Sequence, residues 1–142
     1  MTQFSQLPIY NSIFLILKDL YIRVPKFSKQ YKYMLGEKIL ECCVESLSCI
    51  QEISMERDRQ ARKDLLEIIL KNMNNLLLYL RIANELNQLG KKEAYYHLSS
   101  KIVEVVNQAE NWKKSLQKNS IPESCTRGVQ ECGKRIPPST PL

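Results

Sequence analysis

The feature that most restricts how this chain can fold is the scarcity of helix-breaking residues through its centre. No proline occurs between Lys26 and Ile121, and the glycines in that stretch are Gly36 and Gly90. A β-rich fold needs glycine and proline in its many turns. Apolar residues instead recur every three or four positions, which is the repeat of an amphipathic helix. The sequence therefore predicts an all-α protein.

Four helices are predicted from this repeat, each with one apolar stripe. Pro8 opens the first helix and Pro25 ends its stripe, while Gly90 is expected to end the third helix, as glycine commonly does just past a helix. Four amphipathic helices joined by short connections pack most simply as an up-down-up-down bundle. The predicted helices cover residues 8–24, 34–54, 58–88 and 91–117.

The character of the chain changes after Lys118. The remaining residues hold four prolines and two glycines, and they have almost no periodic apolar content. Such a segment lacks a face that packs against a helical core. We therefore predict that residues 1–118 form the bundle and that residues 119–142 are an extended or disordered tail.

Gly36 falls within the first turn of the second predicted helix. Glycine costs about 1 kcal/mol relative to alanine inside a helix, and less at a helix end, so a packing reason is expected for it. We predict that the missing side chain lets the first helix, or a neighbouring chain, approach closely.

Net charge is the second informative feature. Lysine and arginine number 21 against 15 aspartates and glutamates, which gives a formal charge of +6. In an up-down-up-down bundle, the basic residues near helix ends gather at two poles, and this suggests an acidic partner, most often nucleic acid. The candidate nucleic-acid-binding residues are Arg23, Lys26, Lys91 and Lys92 at the first pole, and Arg59, Arg62, Lys63, Lys113 and Lys114 at the second.

The sequence lacks the patterns that usually carry catalysis. The single histidine, His97, has no second histidine with which to share a metal ion. No serine or cysteine lies in a nucleophile motif, and no glycine-rich phosphate loop is present. We therefore predict that the protein is not an enzyme and uses no cofactor and no metal.

The cysteines and the apolar runs suggest where the protein is found. Five cysteines are an odd number, and Cys42, Cys43 and Cys49 sit in an apolar helical pattern, where cysteine behaves as a small hydrophobe. Residues 1–10 lack the basic start and apolar core of a signal peptide, and the run IFLIL is far shorter than the roughly 20 residues that span a bilayer. We expect reduced thiols, a cytoplasmic location and no membrane association.

Apolar residues on the first two helices exceed what one inward stripe requires. Exposed apolar surface of that extent usually marks a subunit interface. The residues beside the main stripe are Phe14, Tyr21, Leu40, Cys43 and Leu47. We therefore predict a cyclic homo-oligomer.

Five short segments carry a resemblance to a known family. They are the Pro-Ile-Tyr opening of the first helix, its exit at Val24-Pro25-Lys26-Phe27, the stretch YMLGEKI from Tyr33, the segment LRIA from Leu80, and WKKSL from Trp112. Over residues 7–117, these segments resemble the small four-helix-bundle proteins of bacteria and their phages. One branch of that superfamily is encoded in intervening sequences of 23S ribosomal RNA. The other is the accessory variability determinant of diversity-generating retroelements.

The resemblance implies more than the residue patterns do. Family members look like barrel-shaped homopentamers with a basic surface. Members of the retroelement branch associate with a reverse transcriptase and with template-repeat RNA, and they support mutagenic complementary-DNA synthesis. The long basic third helix and the surplus positive charge favour that branch. The expected partners are therefore a reverse transcriptase, RNA, DNA as a second nucleic acid, and further copies of the chain.

Two other functions stay open at this point. The chain is similar enough to the ribosomal intervening-sequence branch that this role is the first alternative. A structural helical module that docks a partner, with incidental charge, is the second. A reverse transcriptase gene and paired variable repeats beside the gene would favour the retroelement branch. A nucleic-acid titration at two salt concentrations would distinguish the structural module from a nucleic-acid-binding protein.

Overall fold

A computed structural model describes the backbone of residues 7–124 and the side chains of residues 7–117. The regular elements in this part of the chain are all helical, and it contains no strand. The four long helices are α1 (Pro8–Arg23), α2 (Glu37–Met55), α3 (Arg59–Glu85) and α4 (Lys92–Ser124). The predicted all-α class with four helices is confirmed, and the packing of α2 against both α1 and α3 is consistent with a helical bundle.

The connection between α1 and α2 is more helical than predicted. A 3-10 turn covers Val24–Lys26, a short helical turn covers Lys29–Tyr31, and a π-helical turn over Lys32–Gly36 runs into α2. Pro25 lies at the start of the 3-10 turn, where its fixed φ suits a helix. An N–H group at the start of a helix has no acceptor within that helix, so the missing N–H of proline costs no hydrogen bond there. The proline therefore ends α1 without ending helical structure.

The core of the unit formed by residues 1–110 is built from the predicted apolar stripes. Large aliphatic side chains from all four helices are fully buried there, and each removes apolar surface from water at about 25 cal/mol per Å². Ser46 is the polar exception on α2, and its hydroxyl donates to the carbonyl oxygen of Cys42 at 2.8 Å, so its burial leaves no unmade hydrogen bond. The largest of these apolar side chains include Ile13, Leu20, Ile39, Ile50, Leu66, Ile69, Met73, Leu76, Leu80, Leu98 and Ile102.

Gly36 directly precedes α2 and lies against the segment that follows α1. Its φ of −61° and ψ of −41° suit any residue, so backbone freedom does not explain the glycine. A Cβ placed on it would lie 2.6 Å from Cγ1 of Val24 and 3.8 Å from Cδ2 of Phe27. Both neighbours are themselves buried. The predicted close approach is confirmed, and the segment that makes it is the exit from the first helix.

Helix α3 ends earlier than predicted, and Asn87 ends it rather than Gly90. Asn87 has a φ of 61°, and the Gln88 N–H donates to the carbonyl of Ala83 while the Asn87 N–H donates to that of Asn84. These two bonds form a Schellman motif, which satisfies carbonyls at the helix end. Gly90, with a φ of 80°, lies in the turn that follows. Asparagine tolerates the left-handed conformation, so it can end a helix as glycine does. The prediction that Gly90 ends the helix did not take this into account.

A second compact unit begins at residue 111. Its described part is the end of α4, which continues to Ser124, beyond the predicted end at residue 117. Helical backbone therefore covers the first residues of the predicted tail, because loss of the apolar repeat does not by itself end a helix. Residues 125–142, with Cys125 and Cys132, lie outside the described residues.

Candidate nucleic-acid interface

Four of the predicted site residues lie at the exit of α1 and around the turn between α3 and α4. Arg23 and Lys26 line a groove of about 510 Å³ together with Asn87, Gln88, Leu89 and Gly90 of that turn. Lys91 and Lys92 follow Gly90 directly in the chain, and both are exposed. The structure thus brings the α1 exit to the turn that carries the two lysines. We call Arg23, Lys26, Lys91 and Lys92 the basic pole.

A hydrogen-bond bridge joins the two segments of the chain that carry the basic pole. The Gln88 side-chain oxygen accepts from the Ser28 N–H at 2.7 Å, and its amide nitrogen donates to the Leu86 carbonyl at 2.8 Å. One side chain therefore joins the end of α3 to the connection after α1, although the two segments are 60 residues apart. Sequence reasoning did not identify Gln88, because nothing in its local pattern distinguishes it from a surface glutamine.

The charges at the basic pole are not equally available. Arg23 donates from Nε to Oδ1 of Asp19 at 2.9 Å, so a carboxylate already offsets its charge. Lys26, Lys91 and Lys92 are exposed, and within the described residues none of the three is in an ion pair. An exposed ammonium group keeps its freedom to contact a phosphate. The three lysines are therefore the strongest phosphate-binding candidates at this pole.

The second predicted cluster lies in the first turns of α3 and has a structural role as well. Arg62 is half-buried, and its Nε donates to the Ile53 carbonyl near the end of α2 at 3.4 Å. Arg59 and Lys63 are half-buried too. Positive charge at a helix N-terminus adds to the positive end of the helix dipole, so this cluster costs the helix some stability, while Asp58 and Asp64 in the same turns offset part of its charge.

Lys113 and Lys114 were predicted to share the pole with the α3 cluster. They belong to the second unit, where Lys113 is half-buried and Lys114 is exposed on α4. Their proximity to Arg59, Arg62 and Lys63 stays a prediction.

The buried thiols are unsuited to nucleophilic chemistry. Burial raises the pKa of Cys43 to about 12, and burial with the nearby charge of Glu45 raises the pKa of Cys42 and Cys49 to about 11. A thiol with such a pKa is protonated at neutral pH, whereas the thiolate is the reactive and metal-binding form. The three cysteines are free and buried, as the apolar pattern predicted.

The remaining candidate for chemistry is the histidine. His97 is exposed on α4 and lines a small groove of about 250 Å³ with Asp19 and Lys101, among others. Across the part of the chain that the structure describes, no three histidine, cysteine, aspartate or glutamate side chains come together as a metal site would require. None of the helices described there is long and apolar enough to cross a bilayer.

One of the predicted interface residues is not on the surface. Cys43 is fully buried in the core, because it lies on the inward side of α2 next to Cys42. Phe14 and Tyr21 are exposed, and Leu40 and Leu47 are half-buried. Sequence reasoning placed Cys43 beside the stripe, whereas the buried face of α2 is wide enough to include it.

Comparison of the chain with family models, with characterised proteins and with solved structures found no significant match. The likeness to the four-helix-bundle superfamily thus depends on the residues quoted above, and the functions that it implies are proposals.

Proposed function

We propose that this chain is a non-catalytic, basic accessory protein of a diversity-generating retroelement. In this role it holds template RNA and a reverse transcriptase together in the cytoplasm and supports mutagenic complementary-DNA synthesis. Copies of the chain assemble into a cyclic homo-oligomer, five-fold by family resemblance. The single observation that carries the RNA-binding part is the basic pole, where Lys26 at the exit of α1 lines a groove with the turn that Lys91 and Lys92 follow, and all three lysines are exposed.

The physical argument for RNA is electrostatic. A chain of formal charge +6 attracts polyphosphates, and assembly of several chains multiplies that charge on one particle. Binding of this kind is made through phosphates, weakens steeply as salt rises, and has little sequence preference. RNA selectivity then comes from the polymerase partner and from RNA shape.

Charge reversal at the basic pole tests this proposal. We expect the triple variant Lys26→Glu, Lys91→Glu, Lys92→Glu to bind a single-stranded RNA more weakly in a fluorescence anisotropy titration. If each lysine meets one phosphate, the slope of log affinity against log salt becomes shallower by about 2. The fold should be intact by circular dichroism, because these side chains are exposed.

A matched control carries the same change in net charge elsewhere. Lys18, Lys71 and Lys101 are exposed on α1, α3 and α4, and their reversal to glutamate should affect RNA binding much less. Equal losses in the two variants would show that net charge, and not the basic pole, determines binding. A parallel variant, Arg59→Glu with Lys63→Glu, tests the α3 cluster while keeping Arg62, whose Nε contacts Ile53.

If neither the pole variant nor the α3 variant changes RNA affinity or its salt dependence, the basic-scaffold function is wrong. The surviving interpretation would then be the structural helical module.

A further inference from the structure

A groove lined by apolar and acidic residues, in contrast to the basic pole, lies between α1 and α2. Its volume is about 570 Å³, and it runs along α2 with Tyr21 of α1 as one wall. Its apolar surface comes from Leu40, which is half-buried, from Val44, which is 47% exposed, and from Tyr21, which is 54% exposed. These are large apolar groups in contact with water, and they lie next to one another.

Three carboxylates line the same groove. Glu37, Glu41 and Glu45 are all exposed, and none of the described lining residues is basic. Their spacing of four residues places them on one face of α2, about 6 Å apart along the helix axis. We call Glu37, Glu41 and Glu45, with the apolar surface beside them, the acidic groove.

Helix stability accounts for Glu37, which lies in the first turn near the positive end of the helix dipole, but it does not account for Glu41 and Glu45. Like charges four residues apart destabilise a helix by a few tenths of a kcal/mol, and among the described residues none of the three is in an ion pair. The negative charge also acts on buried groups. Burial is the largest cause of the raised pKa of Cys42 and Cys49, and the charge of Glu45 is the second largest. A protein of net charge +6 thus keeps a local negative, apolar surface, with Lys38 as the basic neighbour whose charge also acts on Cys42.

We propose that the acidic groove is the docking site for a basic amphipathic helix of a protein partner. An amphipathic helix lays its apolar stripe into a groove of this kind, here on Leu40, Val44 and Tyr21. Lysine or arginine residues four apart on that helix then meet the row of glutamates. The inference rests on the proposed function, because it identifies the surface by which the accessory protein holds its protein partner.

Charge complementarity disfavours two other occupants of the acidic groove. Nucleic acid is repelled by the glutamates, and its candidate surface, the basic pole, shares no residue with this groove. A second copy in a two-fold contact would bring two rows of glutamates together, which is unfavourable. A cyclic ring pairs different faces, and Tyr21 and Leu40 are also predicted to lie at a subunit interface, so the sedimentation test below decides between a ring neighbour and the partner helix. A basic helix satisfies both the apolar surface and the carboxylates.

A synthetic probe tests the groove directly. The probe is a fluorescent peptide of about 18 residues, five helical turns, with leucine on one face and lysine on the other. We expect the full-length wild-type chain to bind it in an anisotropy titration at physiological salt, although both molecules carry net positive charge. A scrambled peptide of the same composition, which has no apolar face as a helix, should bind at least about tenfold more weakly.

Two variants with equal changes in net charge locate the binding. Glu41→Lys with Glu45→Lys should weaken binding of the probe by about tenfold or more. Glu85→Lys with Glu104→Lys alters exposed carboxylates on α3 and α4 and should weaken it far less. Equal effects in the two variants, or equal binding of the scrambled peptide, would overturn the proposal, because general electrostatics would then explain the result.

A third variant tests whether another copy occupies the groove. Val44→Lys places a charge on the apolar surface and should abolish probe binding while the sedimentation mass is unchanged. If Val44→Lys instead lowers the mass, a second copy covers this face and the proposal is wrong.

RNA titrations on the same variants separate this inference from the proposed function. Loss of probe binding with wild-type RNA affinity and salt dependence supports the groove assignment. Failure of the wild-type chain to bind the probe while it binds RNA would overturn the groove alone. Failure to bind RNA while the probe binds would overturn the RNA scaffold and leave the groove as a helix-docking site.

Discussion

Replacement of Gly36 by alanine should destabilise the protein, although alanine is the better helix former. The new Cβ would lie 2.6 Å from Cγ1 of Val24, about 1 Å inside the usual contact distance between carbon atoms. Val24 is 5% exposed and β-branched, so its side chain has little room and few rotamers by which to move away.

The expected magnitude follows from two opposed effects. Alanine gains about 0.5–1 kcal/mol over glycine in a helix, and Gly36 has helical backbone angles that alanine adopts readily. Forcing an extra methyl group into a packed site costs about 1–3 kcal/mol. We therefore expect Gly36→Ala to lower the free energy of unfolding by about 1 kcal/mol.

A double-mutant cycle separates the contact from other causes. Val24→Ala removes the methyl group that the new Cβ would meet, so in that background Gly36→Ala should be neutral or stabilising by about 0.5 kcal/mol. Urea unfolding at a fixed protein concentration measures all four proteins, because association would otherwise shift the apparent stability.

Gly90→Ala is the matched control. Nothing lies within 4 Å of a Cβ at Gly90, but its φ of 80° strains an alanine by about 1 kcal/mol. That cost should be the same with and without Val24→Ala. If Gly36→Ala stabilises the wild-type chain, or costs as much in the Val24→Ala background, the packing explanation of Gly36 is refuted.

Three further predictions concern the cap, the thiols and the assembly. Asp58 caps α3 by accepting from the Ala61 N–H at 2.9 Å, so Asp58→Ala should cost about 1 kcal/mol in urea unfolding; an effect no larger than that of Asp64→Ala would contradict the capping role. Because burial raises the pKa of Cys43 from 9.0 to about 12, the folded state binds that proton more tightly than the unfolded state. Stability should be fully present below pH 9.0 and fall as the pH rises towards 12, and equal alkaline slopes for wild type and Cys43→Ala would contradict this. Sedimentation at micromolar concentration should give a mass above that of the monomer, and a monomeric mass would end the oligomer proposal.

The helical class of this protein can be predicted from the sequence because it depends on local properties. The repeat of apolar residues and the scarcity of proline and glycine report which backbone conformation buries one face, and both are properties of neighbouring residues. The apolar repeat corresponds to buried positions of α4, such as Leu98, Ile102 and Val105, and the sequence also predicts a packing reason for Gly36.

Helix ends and the width of buried faces were predicted less well. Asn87 ends α3 because its left-handed backbone allows two specific carbonyl bonds, and a sequence containing Gly90 three residues later suggests a different stop. Cys43 belongs to the core because α1 and α3 both pack on α2, which buries a wider face than one stripe. Both outcomes depend on contacts between elements rather than on local preference.

The candidate sites divide in the same way. Charge and its approximate distribution depend on residue types alone, so the sequence is sufficient to make Lys26, Lys91 and Lys92 candidates. Tertiary structure alone decided that Arg23 is paired with Asp19, that Arg62 contacts the end of α2, and that Gln88 joins two segments 60 residues apart. It also placed Tyr21 beside Leu40 and Val44, next to a row of glutamates. A sequence specifies which side chains exist and which helix face they share, whereas which faces meet depends on long-range packing between helices.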